Sequence, residues 1–144
     1  MADLKQFLKG NKKKKENTYY PATKSLCDAD GNPLKWEIKA LSTRESERIQ
    51  DECTTEVPIP GKPGTYRAKF NTTMFVKKYA AASVVFPNLY DANLQDSYGV
   101  RTPEDLITEM IDSPEEFNKF AEFCQQYSGY DKQSLQNAVD AAKN

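Results

Sequence analysis

The run from Phe70 to Phe86 is the most regular amphipathic stretch in the chain, and a proline follows it directly. Phe75, Tyr79, Ala82 and Phe86 recur at i, i+4, i+7 and i+11, flanked by Met74, Val76 and Val85. That spacing predicts one long helix whose aromatic stripe faces a core. Pro87 has no amide to donate and disfavours helix in the residue before it, so it is read as the stop. A core helix at mid-chain requires the segments on either side to pack against it. Packing is also the default reading of the stripe, with a ligand cleft as the alternative.

After the stop comes a polar connector carrying Leu89 and Leu94, then a turn at Tyr98-Gly99. Thr102-Pro103-Glu104 sets a cap, a first-turn proline and an acid in the favoured order, starting a helix with Leu106, Ile107, Met110 and Ile111. Ser113-Pro114-Glu115-Glu116 repeats the device and opens a helix to about Tyr127. Phe117, Phe120, Ala121, Phe123 and Cys124 give that helix a wide aromatic face. Phe120 and Phe123 lie on partly different sides, so one of the two is expected to face a partner. Ser128-Gly129 breaks the pattern, and Asp131 caps a short, weakly apolar final helix with Leu135, Ala138, Val139 and Ala142.

Upstream, Tyr19–Cys27 and Leu34–Leu41 flank the turn Asp28-Ala29-Asp30-Gly31-Asn32-Pro33, a β-hairpin signal. Leu34, Trp36 and Ile38 alternate with Lys35, Glu37 and Lys39, so one face is apolar. A lone hairpin is marginal, and Trp36 is expected to pack on a helix. The acidic turn lacks the twelve-residue ligand series of a calcium loop. Ser42-Thr43-Arg44-Glu45 reads as a capping box before a surface helix from Thr43 to about Thr54. Val57 to Gly64 holds three prolines and two glycines, so regular structure is expected to stop there. That segment reads as a linker, with a proline-rich docking segment as the alternative.

The ends differ in charge. Residues 1 to 15 hold six lysines against Asp3, whereas Asn88 to Gln126 hold nine acids against Arg101 and Lys119. Leu4, Phe7 and Leu8 suit a short amphipathic helix within a mobile basic tail, residues 1–18, ahead of a globular core at 19–128 (hairpin 19–41, helices 43–127) and a C-terminal helix or tail at 129–144. Lysines without interleaved aromatics point to a solvated arm rather than a nucleic-acid contact. The acidic half suits a basic or mixed partner surface, although solvation alone also accounts for it. No stretch of about 20 apolar residues offers a membrane span, and the charged first residues do not read as a signal peptide. The chain has no histidine and no C-x-x-C pair, so neither a conventional zinc site nor a histidine-based dyad is expected. Three scattered cysteines, Cys27, Cys53 and Cys124, suggest reduced, buried thiols in a cytosolic protein. No metal, nucleotide or other cofactor is implied. The expected fold class is α+β and mainly α-helical, a hairpin on a bundle of about four to five helices.

The order Ala82-Ser83-Val84-Val85-Phe86-Pro87, followed by Leu94-Gln95-Asp96-Ser97-Tyr98-Gly99-Val100, resembles the phage XkdN-like tail-assembly chaperones. So do the turn Asp30-Gly31-Asn32-Pro33 before a strand centred on Trp36, and the pair Cys53-Thr54. The resemblance runs from about Leu26 to Phe123. Asn88 and Asn93 stand where an acid is usual, and the last stretch lacks the family's common ending. Trp36, Pro87 and the residues Leu94 to Val100 are read as structural.

The resemblance implies a non-catalytic chaperone in the host bacterial cytoplasm. It would bind the tape-measure protein, hold it soluble before the tail tube polymerises, and be absent from the mature particle. A longer, frameshifted form of such a protein would also meet tail tube protein. Self-association stays open, and no nucleic acid or membrane partner is expected. By exposure logic rather than by family assignment, the expected partner contacts are Phe117, Phe120, Phe123 and Tyr127, with Tyr90 and Tyr98 next; the signature residues Leu94, Tyr98 and Val100 are each at least as readable as closing the helical core. The alternative function is a structural tail completion or connector protein retained in the particle.

Overall fold

The computed structural model describes residues 1–130. Strand β1 (Thr18–Tyr20) pairs antiparallel with β2 (Trp36–Ile38), helix α1 spans Thr43–Glu52, and β3 (Thr54–Pro58) pairs antiparallel with β4 (Tyr66–Phe70). Helix α2 (Thr72–Ser83) runs into β5 (Val84–Phe86), and α3 (Ala92–Ser97), α4 (Pro103–Met110) and α5 (Pro114–Tyr127) complete an α+β fold. The helix expected from Asp131 lies outside the described residues.

The strand pairing expected near the N-terminus is present, with Tyr20 opposite Trp36 and Thr18 opposite Ile38. The chain between them is a wide loop rather than a tight hairpin. At its tip Asp28 accepts from the amides of Asp30 and Asn32, and Gly31 takes a φ of 84°. A single bridge joins Cys27 to Pro33 there.

Two expectations fail for physical reasons. The helix expected over 70–86 ends at Ser83, because Val84, Val85 and Phe86 favour extended backbone and find a strand to join. Val84 pairs with Ile38 and Phe86 with Glu37, so β5 completes a three-stranded sheet in the order β1-β2-β5. Phe86, assigned to the core stripe by spacing, is therefore exposed. The second failure is at the proline-rich segment. Its flanks form the five-residue ladder from Thr54↔Phe70 to Pro58↔Tyr66, so Val57 and Pro58 lie in β3, and Pro60, Gly61, Pro63 and Gly64 make the tip. Alternation there is weak because both faces of the ribbon are largely exposed.

Helix starts follow the sequence closely. Ser42 and Glu45 form the reciprocal capping box of α1, Thr102 caps α4 and Ser113 caps α5, each with a proline in the first turn of the last two. Residues Leu4–Phe7 and Lys9–Asn11 form 3-10 turns instead of an amphipathic helix, and Leu4, Phe7 and Leu8 are exposed. The end of this arm is held: Lys15 sits 4.1 Å over the Tyr127 ring, and the Tyr127 hydroxyl donates to the Glu16 carbonyl.

The main core joins Trp36 and Ile38 of the sheet to Ala80 and Ala81 of α2, Leu106, Ile107 and Met110 of α4, and Phe120, Ala121 and Cys124 of α5. A second cluster, Leu41, Ile49, Cys53, Phe75 and Tyr79, seats α1 against α2. Cys53 and Cys124 are buried as expected, whereas Cys27 is exposed.

Candidate partner-binding surface

The signature segment is a scaffold for the turn between β5 and α4. Asp91 caps α3 through the amide of Leu94, and the Gln95 side-chain amide donates to the Leu89 carbonyl at 2.8 Å. The helix then closes with a Schellman motif: Val100 N–H donates to the Gln95 carbonyl and Gly99 N–H to the Asp96 carbonyl. The motif needs a left-handed residue, and Gly99 supplies it at φ 71°. Leu94, Tyr98 and Val100 pack half-buried on the main core, while Asp96 and Ser97 face solvent.

The aromatic candidates separate into distinct environments. Phe120 is fully buried, edge-on to Trp36 and tilted against Tyr20, so its expected role as a partner contact is corrected to a core role. The aromatic face of α5 was too wide for a helix-only core, and the sheet accounts for the excess by covering Phe120. Phe123 stacks on Tyr20 at 4.4 Å and on Tyr127 at 6.0 Å. Tyr127 in turn holds Lys15 and Glu16 of the N-terminal arm. Tyr98 is half-buried, and Tyr90 is exposed.

Phe117 borders an open groove. This space, about 440 Å³, is lined by Thr72, Thr73, Val76 and Lys77 of α2, Thr108 of α4, and Ile111, Asp112, Pro114, Phe117 and Asn118 around the α4–α5 corner. Val76, Ile111, Pro114 and Phe117 form apolar walls, with Lys77 and Asp112 as charges on the lining. A second groove, about 430 Å³, lies at the other end of the α2–α4 contact between α1, α2 and α4. Tyr90 lines it beside Arg48, Ala82 and Glu104. Thus Phe117 and Tyr90 border different grooves, and the six candidates do not form one continuous patch. Val76, Ile111 and Pro114 were missed as site residues because each reads as ordinary helix packing or capping; only the meeting of α2 with the α4–α5 corner brings them together.

Electrostatics around the groove are acidic at the start of α5. The Glu116 carboxylate accepts from the Lys24 amide at 2.9 Å and the Thr23 hydroxyl at 2.8 Å, and these bonds hold its pKa below the ordinary value. The neighbouring Glu115 is held low by its bond to Lys119, whose own pKa is raised by the same pairing. Elsewhere, burial pushes the Tyr79 phenol and the Cys124 thiol each up to about 12. Both groups are therefore neutral packing elements at physiological pH.

Among the described residues no helix is long and apolar enough to cross a membrane. The chain is 24% identical over 142 residues to the uncharacterized protein YqbN of Bacillus subtilis (strain 168), covering 99% of this chain and 93% of that protein. It is 22% identical over 143 residues to the phage-like element PBSX protein XkdN of the same organism, covering 99% and 94% respectively. A crystal structure of YqbN superposes with a TM-score of 0.75 at 20% identity, covering 91% of this chain and 99% of that one, so the fold is shared. Residues 4–143 match the family described as "Phage XkdN-like tail assembly chaperone protein, TAC", and the chain belongs to that family.

Proposed function

We propose that the chain is a non-catalytic chaperone that binds the tape-measure protein of a long-tailed phage or tail-like particle and keeps it soluble before the tail tube polymerises. Family membership supports the assembly role. The observation that carries the binding mode is the open groove walled by Val76, Ile111, Pro114 and Phe117. An apolar stripe of a partner helix lies in such a groove through anchors spaced i, i+3, i+4 and i+7, with Lys77 and Asp112 setting its orientation. A tape measure is a long, largely helical chain with apolar stretches that need cover. Many modest contacts along its length allow the chaperone to leave as tube subunits arrive. This cycle runs in the host cytoplasm, needs no cofactor and leaves the chain out of the finished particle. A longer frameshifted form would add the contact to tail tube protein.

Co-expression with the adjacent tape-measure gene, pull-down and light scattering test the reading. A soluble complex is expected. Thr73→Glu with Asn118→Arg sets two long side chains across the groove from exposed positions, and should abolish capture while leaving the melting temperature unchanged. An insoluble tape measure in the presence of wild-type chain, together with the chain's detection in purified particles by mass spectrometry, would support a retained tail component instead.

A further inference from the structure

The β3–β4 ribbon is largely uncovered. It is anchored at its root, where Asn71 N–H donates to the Cys53 carbonyl at 2.8 Å and Phe70 packs on Phe75 with centroids 5.3 Å apart. Beyond the root nearly every ribbon residue is exposed, including Tyr66. Two strands alone are marginal in water, so an exposed ribbon of this kind gains from being covered.

Its register decides what it offers. Residues directly opposite share a face, so Thr55/Lys69 and Val57/Arg67 make one face while Glu56/Ala68 and Pro58/Tyr66 make the other. The first face carries two cations, one half-buried valine and no acid. Among the described residues neither Arg67 nor Lys69 forms an ion pair. The opposite sign lies on α4 and the corner after it. Residues 103–116 hold six acids and no base; Asp105 and Glu109, one turn apart on α4, are both exposed, and exposed Asp112 follows in the corner beyond the end of the helix. These three also form no ion pair among the described residues.

The spacings match. Alternate residues along a strand are about 6.8 Å apart, and helix residues four apart have Cβ atoms about 6 Å apart. Arg67 and Lys69 can therefore meet Asp105 and Glu109 in register, with Val57 against the helix between them. We propose that the chain self-associates head to tail, the Arg67–Lys69 face of one copy's β3–β4 ribbon lying along the Asp105–Glu109 stripe of the next copy's α4. The contact joins two different surfaces, so it leaves the stripe of one copy and the ribbon of the other free for further neighbours, and it generates a ring or an open row rather than a closed two-fold dimer. The contact is electrostatic and weakens with salt.

Sedimentation velocity of the purified full chain at low salt, across a concentration series, tests this without any tape-measure protein, so its outcome is separable from that of the chaperone reading. Concentration-dependent oligomers that dissociate at molar salt are expected. Arg67→Glu/Lys69→Glu and Asp105→Lys/Glu109→Lys should each be monomeric, with circular dichroism unchanged. An equimolar mixture of the two variants should recover a complex, because the unchanged ribbon of one meets the unchanged stripe of the other, and the two reversed surfaces also attract. A wild-type chain that stays monomeric at low salt, or oligomers indifferent to both reversals, would overturn the proposal.

Discussion

The indole of Trp36 meets the ring of Phe120 edge-on, with centroids 5.6 Å apart and ring planes at 65°. This contact fastens strand β2 to helix α5, and both side chains are essentially inaccessible to water. Phe120→Ala should destabilise the fold by about 3–5 kcal/mol, the usual cost of emptying a buried aromatic site. Phe120→Asp should leave the chain unfolded, because the carboxylate would have no partner there. Urea unfolding measures both. Tyr90→Ala, at an exposed position, should stay within about 0.5 kcal/mol of wild type. A folded Phe120→Asp variant would contradict the core assignment.

Glu116 ties the loop after β1 to the first turn of α5 through Thr23 and the Lys24 amide. Its folded pKa lies below the ordinary 4.5. A depressed carboxylate stabilises the fold at pH above its unfolded value, and that contribution disappears as pH falls through the folded value. Glu116→Gln should therefore lower the urea midpoint at pH 7. The gap from wild type should start to close below pH 4.5 and vanish once the wild-type carboxyl is protonated. A gap that is the same at every pH would assign the loss to geometry rather than charge.

The helix boundaries set by side chains were legible in sequence, and those set by distant partners were not. Ser42, Thr102 and Ser113 act on backbone amides three residues away, so local order suffices to place α1, α4 and α5. Val84 to Phe86 continue a helical periodicity and become strand because Ile38 and Glu37, more than forty positions earlier, present an open edge. The ribbon escaped notice because its strands bury almost nothing and so lack alternation. The same distinction governs the candidate surface. Aromatic richness in α5 was visible, but whether each ring met strand, arm or solvent depended on Trp36, Tyr20 and Lys15.

The three thiols should react in a fixed order. Cys27 is exposed, whereas Cys53 and Cys124 are buried and burial raises both pKa values, that of Cys124 to about 12. The thiolate is the reacting form, so a chromogenic disulfide at pH 8 should titrate one group quickly in the native chain and three in denaturant. Cys27→Ser should remove the fast phase. A native chain with two fast thiols would mean that α1 or α5 opens readily.

Gly99 closes α3 at a φ of 71°, and a Cβ built there meets no atom within 4 Å. The site has room for a side chain, so any cost of Gly99→Ala is conformational: a left-handed alanine is less stable by about 1–2 kcal/mol. Asparagine tolerates that region better, and Gly99→Asn should recover part of the loss. Because the Val100 and Gly99 amides both donate within this cap, the alanine variant should also speed hydrogen exchange at those two positions before global unfolding begins. Equal losses for alanine and asparagine would point away from backbone strain and toward a steric conflict that the open site does not contain.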